Sequence, residues 1–170
     1  MTAYKTKVSI AKDVTSPSGA STATVNQTVL VFNVINTGNT ANQDATVSDL
    51  ALNLSTSGAW TTTTVRTIKV YKNSVSTANL VGTKTFAVAN ALASVAFDGY
   101  DAGASLTDVA IGSGSTVKFI VLVDSNEAPT TTGRLTVSIP STNGIEWTDG
   151  VTADIVTVDT LPLDGGTLTY

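Results

Sequence analysis

The chain has 170 residues, 42% of them apolar and only 13% charged, with a net charge of −4 and a pI near 4.5. That length supports one domain with a sizeable core, and the acidic balance excludes the basic stripe that nucleic-acid binding needs to release counterions. Cysteine and histidine are both absent, which removes disulfide frameworks, thiol chemistry, Ser-His-Asp triads and the usual zinc sites together.

A mean hydropathy of +0.22 separates the chain from disordered polymers. Its polarity comes from Thr, Ser and Asn in place of charge; the roughly 30 threonines are β-branched and suit a pleated, half-buried surface. Such an exterior points to a secreted or cell-surface β-protein, an extracellular location. No polybasic segment invites anionic lipid. The longest apolar runs, Val29–Phe32 and Phe119–Val123, fall far short of the roughly 20 residues of a membrane helix, so no membrane insertion is expected. Met1 leads straight into Thr-Ala-Tyr-Lys-Thr-Lys without an apolar signal region, so the protein is either intracellular or a piece of something longer, and the second reading is favoured.

In chain order, Lys7–Lys12 sets Val8 and Ile10 against Lys7 and Ser9, a half-exposed strand. A Ser-Pro-Ser-Gly turn and a Ser/Thr-rich connection lead to Thr28–Ile35, apolar at nearly every position and expected in the middle of a sheet, buried on both faces. Thr37-Gly38-Asn39-Thr40 reads as a turn. Ala45–Ser55 alternates, with a break in phase between Val47 and Leu50 that predicts a bulge near Asp49. Val65–Lys72 and Leu80–Phe86 form a hairpin through Lys72-Asn73-Ser74.

The stretch Phe86–Phe97 fits both a strand with a loop and a short helix; its β-branched surroundings favour the strand. Leu106–Ile111, Thr116–Asp124, Arg134–Ile139, Val151–Val158 and Thr167–Tyr170 complete the strands. The expectation is all-β: one domain over residues 1–170, an Ig-like Greek-key sandwich of about nine or ten strands. Its inward faces would come from Val29, Val31, Leu50, Leu52, Leu54, Phe119, Val121, Leu135, Val137 and Ile139.

Two short motifs carry a resemblance. The opening KVSIAKDVTSPSG (Lys7–Gly19) and the closing TVDTLPLDGGTLTY (Thr157–Tyr170) resemble an Ig-like repeat of surface-layer-like and adhesin-like bacterial cell-surface proteins. The resemblance implies a non-catalytic structural or adhesive S-layer-type module, one unit of a tandem array, with neighbouring repeats or other surface proteins as partners. It carries no catalytic residue. Two other readings stand beside it: a glycan-binding module, and a self-assembling filament or capsid subunit.

Candidate chemistry is sparse. No base is placed to activate a serine, so no enzyme is expected. Loop carboxylates at Asp98 and Asp101, with Asp108 nearby, offer hard oxygen ligands of the kind calcium takes, although no EF-hand spacing is present. Turn chemistry explains the same residues. Trp60, Tyr100 and Trp147, placed in or beside loops, are the rings on which a sugar could stack. Lys7, with Asp154 or Asp159, has the chain order of a covalent Lys–Asp cross-link, while edge lysines also serve to block aggregation. The run Thr61–Thr64 lacks the repeat of an ice-binding array and reads as a solvated face.

Overall fold

In a computed structural model of the chain, residues 5–58, 65–87, 93–97, 106–125, 133–152 and 155–170 are described. They form β1 (Val8–Lys12), β2 (Gly19–Ala20), β3 (Gln27–Asn36), β4 (Ala45–Ser57), β5 (Val65–Lys72), β6 (Leu80–Ala87), β7 (Ala93–Phe97), β8 (Val109–Ile111), β9 (Thr116–Val123), β10 (Arg134–Ile139), β11 (Ile145–Thr148) and β12 (Leu163–Thr169). A 3-10 turn, Thr77–Asn79, interrupts the β5–β6 hairpin.

The strands divide into a five-stranded sheet, β1-β3-β9-β5-β6, and a seven-stranded sheet whose path is β11-β4-β10-β12-β2, with β7 and β8 also on β4. The orders β1-β3-β9-β5 and β4-β10-β12 match the A-B-E-D and C-F-G orders of an immunoglobulin sandwich. Two departures stand out: β6 extends the first sheet, and β7 and β8 reach β4 only after the β5–β6 hairpin.

Strand β4 is the spine of the seven-stranded sheet. β10 pairs with its residues 53–57 and β11 with 46–50. β7 overlaps both of these, and β8 overlaps β11, so β7 and β8 must run along the opposite edge of β4. Each edge of the spine is therefore covered by a strand in two pieces. Val47 and Leu50 both point inward because Ser48 is an extra residue between the Trp147–Val47 and Glu146–Asp49 pairs, which is the expected bulge.

The core lies between the sheets and is closed by alternation on each strand. Leu50, Leu52 and Leu54 of β4 and Leu135, Val137 and Ile139 of β10 face Leu30, Phe32, Phe119 and Val121. Phe32 stacks on its cross-strand partner Phe119 with ring centroids 5.2 Å apart. Nine of the ten expected core residues belong to this cluster; Val31 is buried but sits on the outer face of its sheet. Only Val29–Phe32 of β3 is buried on both faces, and the rest of the strand from Asn33 to Asn36 alternates.

Other expectations need correction. Val151–Val158 is not a strand: its described part carries one isolated bridge, Ile155 to Trp147. Trp147 belongs to no loop; it lies in β11, 1% exposed within the core, and its indole N–H donates to the Thr157 carbonyl at 3.1 Å. The last strand starts at Leu163, four residues earlier than its apolar pattern suggests, because Gly165 and Gly166 hide the alternation. Residues 88–92, at the heart of the helix-or-strand ambiguity, lie outside the described residues, while both flanks are strand.

Candidate functional site

The two motifs that carried the resemblance, about 150 residues apart in sequence, meet in space. After β1 the chain turns at Asp13, whose carboxylate accepts from the Thr15 amide and hydroxyl, from Asn33 Nδ2 and from Lys118 Nζ. These partners hold its pKa well below the usual carboxylate range, the Thr15 hydroxyl first among them. The turn is fastened to β3 by the Asp13 amide on the Val31 carbonyl (2.9 Å) and the Val31 amide on Ser16 Oγ (3.1 Å).

From there Ser16-Pro17-Ser18-Gly19 crosses the last strand. Gly19 takes a positive φ of 87°, and Gly19-Ala20 pairs in parallel with Leu168-Thr169. The crossing is close because of Gly166, where an added Cβ would stand 2.1 Å from the Pro17 carbonyl oxygen. At Gly165 an added Cβ would stand 1.9 Å from the Val137 carbonyl on the other side. The Gly-Gly pair is thus where a strand is squeezed between two backbones.

A second junction joins the same two segments nearer the start. The Asp159 amide donates to Val8 O (3.0 Å) and its carbonyl accepts from the Ile10 amide (3.2 Å), a parallel bridge at Ser9. Lys7 forms an ion pair with the Asp159 carboxylate, and the Thr160 hydroxyl donates to the Ile10 carbonyl. The two side chains suggested for a covalent cross-link are therefore brought together. They are 62% and 44% exposed, the setting of a hydrated surface salt bridge. Asp154 lies outside the described residues.

The chain's described ends are held at opposite ends of the sandwich. The Lys5 amide donates to Asp149 Oδ2 at 2.9 Å, one residue past Thr148, which pairs with Thr46 near the start of β4. Asp149 also accepts from the Val151 and Thr152 amides, and this set of donors, led by Lys5, lowers its pKa. The Tyr170 amide donates to Gly133 O at 2.9 Å, beside Arg134, which pairs with Ser57 at the other end of β4. Burial raises the pKa of the Tyr170 phenol, against the pull of nearby Ser125 and of the Arg66 charge. From Thr46 to Ser57 the strand spans about 36 Å.

The two layers differ in charge. Eight of the nine cations (all but Arg134) sit on the five-stranded sheet or the segment leading into it, with Asp13, Asp124 and Asp159. The seven-stranded sheet and its turns carry Asp44, Asp49, Asp108, Glu146, Asp149 and Asp164 with that one arginine.

Each outer face carries a groove. On the five-stranded sheet a groove of about 460 Å³ has Val31, Lys118 and Ile120 for a floor, between Thr15 and Pro17 on one side and Asn73 to Val75 on the other. On the seven-stranded sheet one of about 430 Å³ runs over Ala51 and Ala96, flanked by Asp49, Glu146, Asn53 and Asn143. Neither has Trp147 among its described lining residues, and Trp60 and Tyr100 lie outside the described residues. Asp98 and Asp101, the calcium candidates, also lie outside the described residues; Asp108 is exposed just before β8. Among the described residues no three metal-ligating side chains cluster, and no described helix is long and apolar enough to cross a membrane.

The arrangement of the chain ends was not visible in sequence. Its only signal was the unusual Gly-Gly pair in an otherwise β-branched strand, the mark of close backbone approach. No protein-family model, curated protein or solved structure matches the chain.

Proposed function

We propose that the chain is a non-catalytic, load-bearing structural domain of a bacterial cell-surface protein, one unit of a tandem array, working outside the cell. The observation that carries this reading is the disposition of its ends. The leading segment is held at one end of the sandwich by Asp149, and Tyr170 is held at the other beside Gly133.

A pull between those ends draws β1 and β2 one way and β12 the other. Both junctions between these segments are parallel, at Ser9–Asp159 and at Gly19-Ala20 with Leu168-Thr169. The hydrogen bonds of a parallel pair are evenly spaced and bridge the strands at a slant, so a pull along the strands loads them together instead of opening them one at a time. The bonds from Asp159 to Val8 and Ile10, and from Ser21 to Thr169 (2.8 Å), share the load. A domain of this build passes tension from neighbour to neighbour without unfolding.

Single-molecule stretching tests the reading, since the lack of cysteine allows handles to be placed uniquely. Handles at the two termini should give one cooperative rupture at markedly higher force than handles at the N-terminus and a Ser113→Cys site. Ser113 donates to Asp44 Oδ1 at 3.0 Å, at the same end as Lys5, so that pair of handles peels instead of shearing. Equal forces in the two geometries would overturn the mechanical role. Antibody labelling of intact source cells tests the location; signal only after lysis would overturn it.

A further inference from the structure

Asparagine followed by glycine is the pair from which a polypeptide most readily loses ammonia, because no side chain stands between the glycine amide nitrogen and the asparagine side-chain carbon. Of the asparagines in this chain, only Asn143 precedes a glycine. The pair lies in the turn between β10 and β11. Asn143 is exposed, at a positive φ of 52°. Gly144 is packed so closely that an added Cβ would stand 2.2 Å from the Pro140 carbonyl oxygen. Neither the Asn143 side chain nor the Gly144 amide makes a hydrogen bond among the described residues; only the Gly144 carbonyl does, accepting from the Ala51 amide at 3.0 Å. Nucleophile and electrophile of the reaction are both unengaged.

At the competing positions the fold ties these groups down. Asn73-Ser74 is the next least hindered pair, and there the Ser74 amide donates to the Lys72 carbonyl at 2.7 Å. Asn26 Oδ1 accepts from Lys69 Nζ, Asn33 Nδ2 donates to Asp13, and Asn36 is buried with both side-chain heteroatoms bonded. Aspartate–glycine pairs pass through the same ring more slowly. Of these, Gly150 donates its amide to Thr148 Oγ1 at 3.0 Å while three backbone amides occupy the Asp149 carboxylate. Gly165 lies inside β12 against the Val137 carbonyl, and Asp98-Gly99 lies outside the described residues.

We propose that Asn143 is the chain's principal site of spontaneous covalent modification: its side chain closes onto the Gly144 amide nitrogen, and the turn between β10 and β11 converts to aspartate and isoaspartate as the protein ages. Hydroxide takes the Gly144 amide proton and the nitrogen attacks Cγ of Asn143. The N–Cγ bond forms, the Cγ–Nδ2 bond breaks, and Nδ2 takes a proton from water and leaves as ammonia. Water then opens the succinimide. Breaking the N–Cγ bond gives aspartate. Breaking the bond from that nitrogen to the main-chain carbonyl carbon of residue 143 gives isoaspartate, whose backbone runs through Cγ and is one carbon longer. Either product adds one negative charge to the net −4 of the chain, on the groove that Asn143 lines with Asp49 and Glu146. The longer backbone is the damaging product. Gly144 has no clearance from Pro140, and its carbonyl bond to Ala51 leads into the pairing that seats β11 and Trp147 on β4. An added carbon strains that seat. The chemistry belongs to the turn and holds whether or not the chain is one unit of an array.

Ageing the whole folded chain at physiological temperature and pH, followed by proteolysis and peptide mass mapping, tests it. The peptide holding Asn143 should gain about 1 Da, the exchange of an amide for a carboxyl, before a peptide holding any other asparagine does. Anion exchange should resolve a more acidic form in step with that gain, and protein isoaspartyl methyltransferase with a labelled methyl donor should mark this form well above fresh protein. The rate should rise with hydroxide concentration and lie within about tenfold of the rate in the urea-unfolded chain, a small part of the barrier. Asn143→Gly keeps a residue suited to positive φ and should form the acidic species far more slowly. Asn143→Asp carries the new charge on a backbone of normal length; it should melt like the wild type, while the isolated isoaspartate form melts at least about 3 °C lower. Protection in the folded chain beyond about tenfold, earlier modification at another asparagine, or an acidic form that appears as fast in Asn143→Gly would each overturn the site. An isoaspartate form that melts with Asn143→Asp would overturn the effect on β11.

Discussion

Asn36 reaches across the sandwich: its side-chain amide on β3 of one sheet donates to the Ile111 carbonyl on β8 of the other, at 2.9 Å, with the residue fully buried. The same amide donates to Gln43 O at 2.7 Å, and its oxygen accepts from the Gly38 amide and the Thr6 hydroxyl. One side chain thus satisfies the backbone where three loops converge. Such a hub is stabilising only when complete. Asn36→Leu leaves two carbonyls and an amide unsatisfied in the interior, and should cost about 3 kcal/mol. Urea unfolding followed by tryptophan fluorescence reads the loss, with the midpoint falling at unchanged slope.

Gly165 and Gly166 make a second, purely steric prediction. At both positions the atom that would meet a Cβ is a carbonyl oxygen of a neighbouring strand or turn, at 1.9 and 2.1 Å. Backbone cannot turn aside as a flexible side chain can. Gly165→Ala and Gly166→Ala should each destabilise by about 2–4 kcal/mol, the upper part of the range for overpacking. Gly150→Ala is the control: nothing lies within 4 Å of its Cβ position, and its φ of 80° carries only local strain. Its cost, read from thermal melts, should stay near 1 kcal/mol.

Much of the fold was legible because one face of each long strand is buried. Leu50-x-Leu52-x-Leu54 and Leu135-x-Val137-x-Ile139 announce their inward sides by alternation alone. Even the bulge at Ser48 showed as a break in phase. Legibility failed where alternation is short or disguised. Ile145–Thr148 offers only Ile145 and Trp147 as apolar positions, too few to separate a strand from a loop with a tryptophan in it. Around Ile155 the reverse holds: Val151 and Val156 look like strand residues yet are 71% and 43% exposed. The meeting of Ser16–Gly19 with Gly166–Thr169 is long-range and set by backbone clearance, a property that a one-dimensional pattern does not encode. What the grooves bind could not be read either, because a β-sheet's outer face selects its contacts through rows contributed by distant strands.

Two heavily hydrogen-bonded carboxylates predict how the fold responds to acid. Asp13 and Asp149 both have pKa values below their ordinary 3.8, and in each case donated hydrogen bonds are the leading cause. A carboxylate whose pKa is depressed by folding contributes stability that is fully present above the unfolded value. That contribution is lost as pH falls through the lower, folded value. Melting temperature should therefore stay level from about pH 7 down to about pH 5 and decline steeply below about pH 4. Asp13→Asn keeps an oxygen for the Thr15 donors but gives up the charge that Lys118 meets. It should lower the melting temperature at neutral pH and flatten the acid decline. Asp149→Asn should do the same, with a further readout: the Lys5 amide loses its charged acceptor, so its hydrogen exchange should quicken while exchange in β4 is unchanged. If both variants melt along the wild-type curve below about pH 4, these turns are not what acid attacks, and the decline belongs to other carboxylates.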